Sequence, residues 1–309
     1  MRPSAVLLFL DGVGLGTAGA HNPLSQTNTM PFVTQLVGQP LLAEAQHQSR
    51  HCLLKPIDAT LQVPGLPQSA TGQTTIYTGR NAPQYLGRHQ TAFANGSLRP
   101  LIEASGLLKQ VLHQGGTATL ANLYSPAYFE AIANRRLRYS VGTLLNLTAG
   151  LTFRMQYEYE QGAAIFWDIT GEFAASRGIA HPPISAQAAG VRLANLGRQY
   201  SLTLFECYLP DFAGHAQNLE QAQQCLRRID RLIQATVEHL SAEVTLVITS
   251  DHGNVEDLST KRHTLNAVPL LVIGPQAPAF SAVADLTGIT PKLLESLQLQ
   301  PRSADCRLS

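Results

Sequence analysis

The sequence predicts an α/β protein built on a doubly wound, mainly parallel sheet, with a small inserted segment. Three observations carry that expectation. Apolar, β-branched runs recur along the chain with helix-like stretches between them, the alternation that builds a doubly wound sheet. The runs are near-continuously apolar rather than alternating, as suits strands covered on both faces. Asp11, Asp211 and Asp251 each stand just beyond such a run, and open α/β sheets bind ligands beyond the carboxyl ends of their strands.

The first run, Ser4–Leu10, lies in MRPSAVLLFLDGVGLGTAGA. Arg2 and the small residues after it give the outline of a secretion signal. The run AVLLFL is shorter than the roughly 7–15 apolar residues such a signal needs, so it reads as a buried first strand. Residues 101–113 then have helical periodicity and 117–124 read as a strand. Further on, 186–200 read as helix, 201–209 as strand, 219–240 as helix, and Val244–Thr249 and Val268–Ile273 as strands. Residues 125–181 break this rhythm. They hold Arg135, Arg136, Arg138 and Arg154, several tyrosines and the only tryptophan, Trp167, before a Pro182-Pro183 stop. The expected organisation is therefore a core of residues 1–124 and 182–309 with 125–181 as an insertion or lid; an ordinary run of sheet connections is the plainer alternative.

Composition narrows the function classes. Of 309 residues, 44% are apolar and 14% charged, well under the roughly 25% charged of an average domain, so a sizeable core is expected. A net charge of +1 offers no field for nucleic acid. No uninterrupted apolar run reaches the length of a membrane span. Cys52, Cys207, Cys225 and Cys306 are scattered without metal or disulfide spacing, and the expected compartment is cytoplasmic.

The chemistry concentrates in six side chains: Asp11, Asp211, His215, Asp251, His252 and His263. Three carboxylates and three imidazoles suit two divalent cations. Adjacent strand residues face opposite ways, so Asp251 and His252 share a site only if Gly253-Asn254 has already turned the chain. Asp211 and His215 are spaced as one helical turn, although a compact loop would serve, and an N-cap aspartate with a solvent-facing histidine is the plain reading. Asp11 opens a glycine-rich turn whose glycines, at 12, 14 and 16, miss the spacing of a dinucleotide fingerprint. Ser69, in Pro67-Gln-Ser-Ala-Thr-Gly-Gln73, precedes a helix-like stretch and reads as a nucleophile or an N-cap, with Thr71 as the rival nucleophile. Arg80, Arg88 and His89 follow that helix; they are candidates for a substrate phosphate, or ordinary surface residues. Asn254 and Glu256 read as supports of the loop.

The order Asp11, Ser69, Asp211-x-x-x-His215, Asp251-His252-Gly253 and His263-Thr264 resembles the alkaline-phosphatase superfamily. Within it, PDFAGH, SDHGNVE and KRHTLNAVPLLVIGP resemble the branch of cofactor-independent phosphoglycerate mutase and phosphopentomutase. The likeness spans residues 4–125 and 185–300, with Gly72-Gln73 where the branch has Gly-His. It implies an alkaline-phosphatase-like core, one metal site of Asp211, His215 and His263, and another of Asp11, Asp251, His252 and the Ser69 oxygen. It further implies manganese or zinc, and a phosphoserine at Ser69 passed to water (phosphatase) or to a substrate hydroxyl (mutase). A phosphodiesterase or pyrophosphatase, and a metal-binding sensor without turnover, stay open beside it. The partner implied is a small phosphorylated metabolite, not nucleic acid or membrane, and no oligomeric state is implied.

Overall fold

The computed structural model describes residues 3–94, 96–179 and 181–299; Cys306 lies outside them. Among the described residues seven strands, β1 (Ser4–Leu10), β2 (His47–Gln48), β3 (Cys52–Ile57), β4 (Ala118–Leu120), β5 (Leu202–Cys207), β6 (Val244–Thr249) and β7 (Val268–Ile273), form one sheet in the order β2-β3-β7-β6-β1-β5-β4. Strands β6, β1, β5 and β4 pair in parallel, with Leu7 opposite Leu204 and Val247. Strand β7 runs antiparallel to both β6 and β3, so β3 shares the direction of the parallel block. The α/β, mainly parallel expectation is met.

Alternate residues of β1 enter two different cores. Val6, Leu8 and Leu10 join one cluster, with Leu193 of helix Ala186–Gln199 and Ile229 of helix Leu219–His239. Ala5, Leu7 and Phe9 join the other, with Ile76, Ile102 and Leu293 from helices Ser69–Thr78, Arg99–Ser105 and Ile289–Ser296. Apolar side chains on both faces of a strand explain why its sequence is continuously apolar. Helix Val141–Thr148, within the stretch 125–181, also gives Val141, Leu144 and Leu145 to the second cluster.

Two departures from the sequence expectation have local causes. Residues 99–113 form two helices, because Gly106 adopts an extended backbone between Arg99–Ser105 and Leu107–His113. Strand β3 was not expected, since Lys55 and Pro56 interrupt its apolar run. The proline is tolerated because β2 reaches only Leu53 and Leu54, leaving Pro56 on an open edge where no ladder donor is needed.

A buried aspartate joins two of the helices. Asp230 accepts hydrogen bonds from the Phe32 and Val33 amides, both at 2.9 Å, at the start of helix Pro31–Val37. Asp230→Ala would strip two helix-terminal amides of their acceptor; we expect it to lower unfolding stability by about 1–2 kcal/mol, read by chemical denaturation. Among the described residues no helix is long and apolar enough to cross a membrane.

Candidate metal centre

All six expected ligand residues gather at one edge of the sheet, the carboxyl end of β1, β5 and β6. Asp11 follows β1 directly, its amide bonded to the Cys207 carbonyl at 2.9 Å. Gly12 turns the chain through a left-handed backbone, φ 73°, which glycine adopts without strain. Asp211 and His215 lie on helix Leu209–Ala216, so their spacing is one helical turn rather than a loop. Asp251 and His252 follow β6, both fully buried. His263 reaches the same edge because β7 is antiparallel to β6, which starts β7 where β6 ends. The Gly253–Thr264 bridge extends that ladder and draws the two segments together.

His252 is the meeting point. Its Nε2 lies 3.0 Å from Ser69 Oγ, 3.4 Å from Asp11 Oδ1 and 3.5 Å from Asp251 Oδ2. Its ring stacks on that of His263, centroids 3.6 Å apart. His263 Nε2 lies 3.6 Å from Asp211 Oδ1, and His215 Nε2 lies 3.3 Å from Asp211 Oδ2. Ligand atoms of Asp11, Asp251 and His252 fall within 4.8 Å of one another, as do those of Asp211, His252 and His263. The trio at Asp211 thus takes in His252, while His215, with 46% of its side chain exposed, stands one helical turn away on its rim.

This donor set fits divalent cations. His263 Nδ1 meets the Pro67 carbonyl at 2.9 Å and His215 Nδ1 the Lys261 carbonyl at 2.8 Å. A carbonyl only accepts, so Nδ1 carries the proton in each ring, and the Nε2 lone pair is left for the site. Asp11 Oδ1 and His252 Nδ1 are buried without a hydrogen bond, and among the described residues no lysine or arginine pairs with Asp11 or Asp251. Burial first, then repulsion from Asp251 and Asp211, pushes the Asp11 carboxyl well above its usual range. Burial and Asp211 push Asp251 up to about 8, whereas burial and the neighbouring His263 hold the His252 imidazolium well down. Two crowded carboxylates and a neutral imidazole make a place for positive charge.

Ser69 is the first residue of helix Ser69–Thr78, and Gln68 is the N-cap. Its hydroxyl therefore does not cap the helix but turns to His252. Thr71, the rival nucleophile, donates to the Gln68 carbonyl and accepts from the Gln90 amide, so it is held in the backbone scaffold. Gln73, one turn after Ser69, donates to Asp251 Oδ2 at 3.3 Å; the four-residue spacing from Ser69 was the signal for it. Between them, Gly72 packs against Asp251: a Cβ there would lie 2.6 Å from Asp251 Cβ and 2.8 Å from its carbonyl oxygen. Backbone leaves no room to yield, so we expect Gly72→Ala to cost about 1–3 kcal/mol of stability and to displace Asp251, read as a lower Tm together with weaker metal binding.

Arg80, Arg88 and His89 are not brought to the site. Helix Ser69–Thr78 runs for 10 residues before Gly79 ends it, which puts exposed Arg80 about 15 Å from Ser69 along the axis. The His89 ring is spent on the Val63 carbonyl at 3.1 Å, and Arg88 points to solvent. None of the three lines the cavity that opens over the site. Arg138 does line it, as do Asn122, Trp167 and Phe212. Asn122 stands just past β4, where the strand-end rule that found the aspartates would also have found it.

Comparison with known proteins bears on this geometry. Residues 168–301 match the family model described as the Metalloenzyme superfamily. The chain is similar to that superfamily. The segments PDFAGH, SDHGN and KRHTL fall inside the match, whereas Asp11 and Ser69 lie before it. Over 116 residues the chain is 33% identical to a 2,3-bisphosphoglycerate-independent phosphoglycerate mutase of Thiobacillus denitrificans, covering 35% of this chain and 23% of that protein. A mutase of the same name from Mycoplasmoides gallisepticum is 28% identical over 126 residues, 38% of this chain and 25% of that protein. The matches thus span about a quarter of the mutases' length. Among solved structures, the alkaline phosphatase of the Antarctic bacterium TAB5 aligns with 97% of this chain and 99% of its own at TM-score 0.55 and 13% identity. Leishmania mexicana phosphoglycerate mutase aligns with 99% of this chain and 97% of its own, at TM-score 0.55 and 12% identity. The fold is alkaline-phosphatase-like.

Proposed function

We propose that the protein is a two-metal phosphoryl-transfer enzyme that acts on a small phosphorylated metabolite through a phosphoserine at Ser69. One observation carries the reading: the Ser69 hydroxyl meets His252 at 3.0 Å, where the two groups of carboxylate and imidazole donors join. Asp11, Asp251, His252 and the Ser69 oxygen would hold one cation, and Asp211, His215 and His263 the other. Manganese or zinc suits this mixture of ligands. Bound divalent cations ease loss of the serine proton and neutralise phosphoryl oxygens.

The chain's own residues would do the rest. Ser69 Oγ attacks phosphorus in line, forming an O–P bond as the ester oxygen leaves with its electron pair and takes up a proton. Helix Ser69–Thr78 begins at Ser69, so the positive end of its dipole lies there and favours the charge of the incoming phosphate. Gln73 and the Gly12 amide hold Asp251 from two sides, and Asn254 Nδ2 holds Asp211 Oδ1 at 2.7 Å. Water, or a second hydroxyl of the substrate, then takes the phosphoryl group and frees Ser69.

Turnover on phosphomonoesters, phosphodiesters, pyrophosphate and sugar phosphates, followed by phosphorus NMR with added manganese or zinc, tests the reading. Inorganic phosphate as product means a phosphatase, and an isomerised ester means a mutase. Chelation should abolish either activity and readdition of the ion restore it. Two bound cations with no turnover on any ester would overturn the proposal and favour a sensor.

A further inference from the structure

Beyond Asp11, Ser69 and Asp211 the site opens into a cavity of about 610 Å³, a size that holds a whole small-molecule ligand. Seven of the side chains that line it are aromatic. Trp167 stacks on Phe212 with centroids 5.3 Å apart and on Phe173 at 5.6 Å. Phe212 adjoins the ligand Asp211 and is 59% exposed, a large apolar group standing in the open beside a polar site. Tyr124 and Tyr128 supply a second aromatic surface.

Apart from the solvent-exposed guanidiniums of Arg138 and Arg177, the polar side chains named here are already engaged. Tyr124 and Tyr128 place their hydroxyls 3.1 Å and 2.9 Å from Thr143 Oγ1, which also meets Ser140 Oγ at 2.8 Å. The Tyr208 hydroxyl donates to the buried Glu206 carboxylate at 2.7 Å. Asn122 donates to the Glu206 carbonyl and accepts from its amide, at 2.8 Å and 2.9 Å. A hydroxyl-rich group placed here would lose its water and find few partners in return. A flat ring would instead find faces to stack on.

We infer that the preferred substrate is a phosphate ester of an aromatic alcohol, with its ring against Trp167 and Phe212, rather than an ester of a polyhydroxylated acid or sugar. The inference rests on the phosphoryl-transfer reading, because Ser69 and the metal ligands fix which end of the cavity takes the phosphate. It sets this chain apart in specificity from the phosphoglycerate mutases to which part of it is similar.

Trp167 is the only tryptophan, so its emission reports on this wall without any turnover. The test titrates metal-loaded protein with benzylphosphonate, with phosphoglycerate as competitor. We expect a saturable change in Trp167 emission, and displacement only at phosphoglycerate concentrations at least about tenfold higher. Exposed Phe212 can be truncated without opening the core, and Phe212→Ala should reduce the preference by about tenfold. Equal or tighter binding of phosphoglycerate, an unchanged preference in Phe212→Ala, or no binding of benzylphosphonate would each overturn the inference. Turnover of aromatic and polyol esters at equal kcat/KM would overturn it too, while leaving the phosphoryl-transfer reading intact. Preferred benzylphosphonate binding with no ester turned over would overturn that reading and leave the aromatic site standing.

Discussion

Ser69→Ala is expected to lower phosphoryl transfer by at least about 10³-fold, since removing a nucleophile leaves only the binding and charge stabilisation around it. Metal binding should largely survive. The five carboxylate and imidazole side chains closest together do not depend on the serine: Asp11, Asp251 and His252 form one group, and Asp211 and His263 join His252 in the other. Fold stability should also hold, because Ser69 makes no capping hydrogen bond and Gln68 occupies the N-cap. The separation is the informative part. A variant that keeps two equivalents of metal and its Tm while losing kcat places the chemistry at the hydroxyl. Substitution of Thr71 gives the contrast: its hydroxyl bonds the Gln68 carbonyl and the Gln90 amide, so Thr71→Ala should lower stability and leave the nucleophile in place.

Glu256 should give the largest structural effect without being a ligand. Its carboxylate, 2% exposed, accepts from the Gly14 amide at 2.9 Å, the Asn254 amide at 2.8 Å, Asn266 Nδ2 at 3.0 Å and the Thr264 hydroxyl. These donors come from the loops that carry Asp11, Asp251 with His252, and His263. One side chain therefore clamps the three segments that carry the candidate ligands, and every group aimed at it is a donor. Glu256→Ala would leave several buried donors without an acceptor, which we expect to cost about 3 kcal/mol or more. Glu256→Gln keeps the shape but turns an amide NH₂ toward two donors, so it should not restore the clamp. We expect either variant to weaken metal binding by about 10–100-fold, the range for residues that orient ligands, measured by calorimetry alongside thermal unfolding. Full metal affinity in Glu256→Ala would show that the loops hold their geometry without it.

Much of the site was legible because its residues sit where chain and chemistry coincide. Asp11 directly follows a buried strand and Asp251 stands two residues past another, and charged groups there have no place in the sheet. Asp211 and His215 share a helical turn, and His263 precedes a strand whose apolar run is equally clear. The direction of β7 was not legible, because a fully buried strand reads alike whether its neighbours are parallel or antiparallel. Yet that direction is what delivers His263 to the carboxyl edge. Strands β2 and β3 escaped notice because one has two residues and the other carries Lys55 and Pro56. Arg80 was misplaced for want of a helix length: Gly79 ends the helix too late for Arg80 to turn back to Ser69. The aromatic wall was beyond reach for a different reason. Tyr124, Trp167 and Phe212 come from three separate segments that share no period, and only tertiary packing brings their rings to one cavity.

The central claim is a covalent phosphoserine, and the most direct measurement is to trap it. Metal-loaded protein is mixed with an aryl phosphate, quenched in acid within the first turnover, digested and read by tandem mass spectrometry. The account predicts phosphate on Ser69 of the peptide around PQSATGQTT, absent in Ser69→Ala and after chelation. Phosphate on Thr71, or rapid turnover with no phosphopeptide at any quench time, would contradict it.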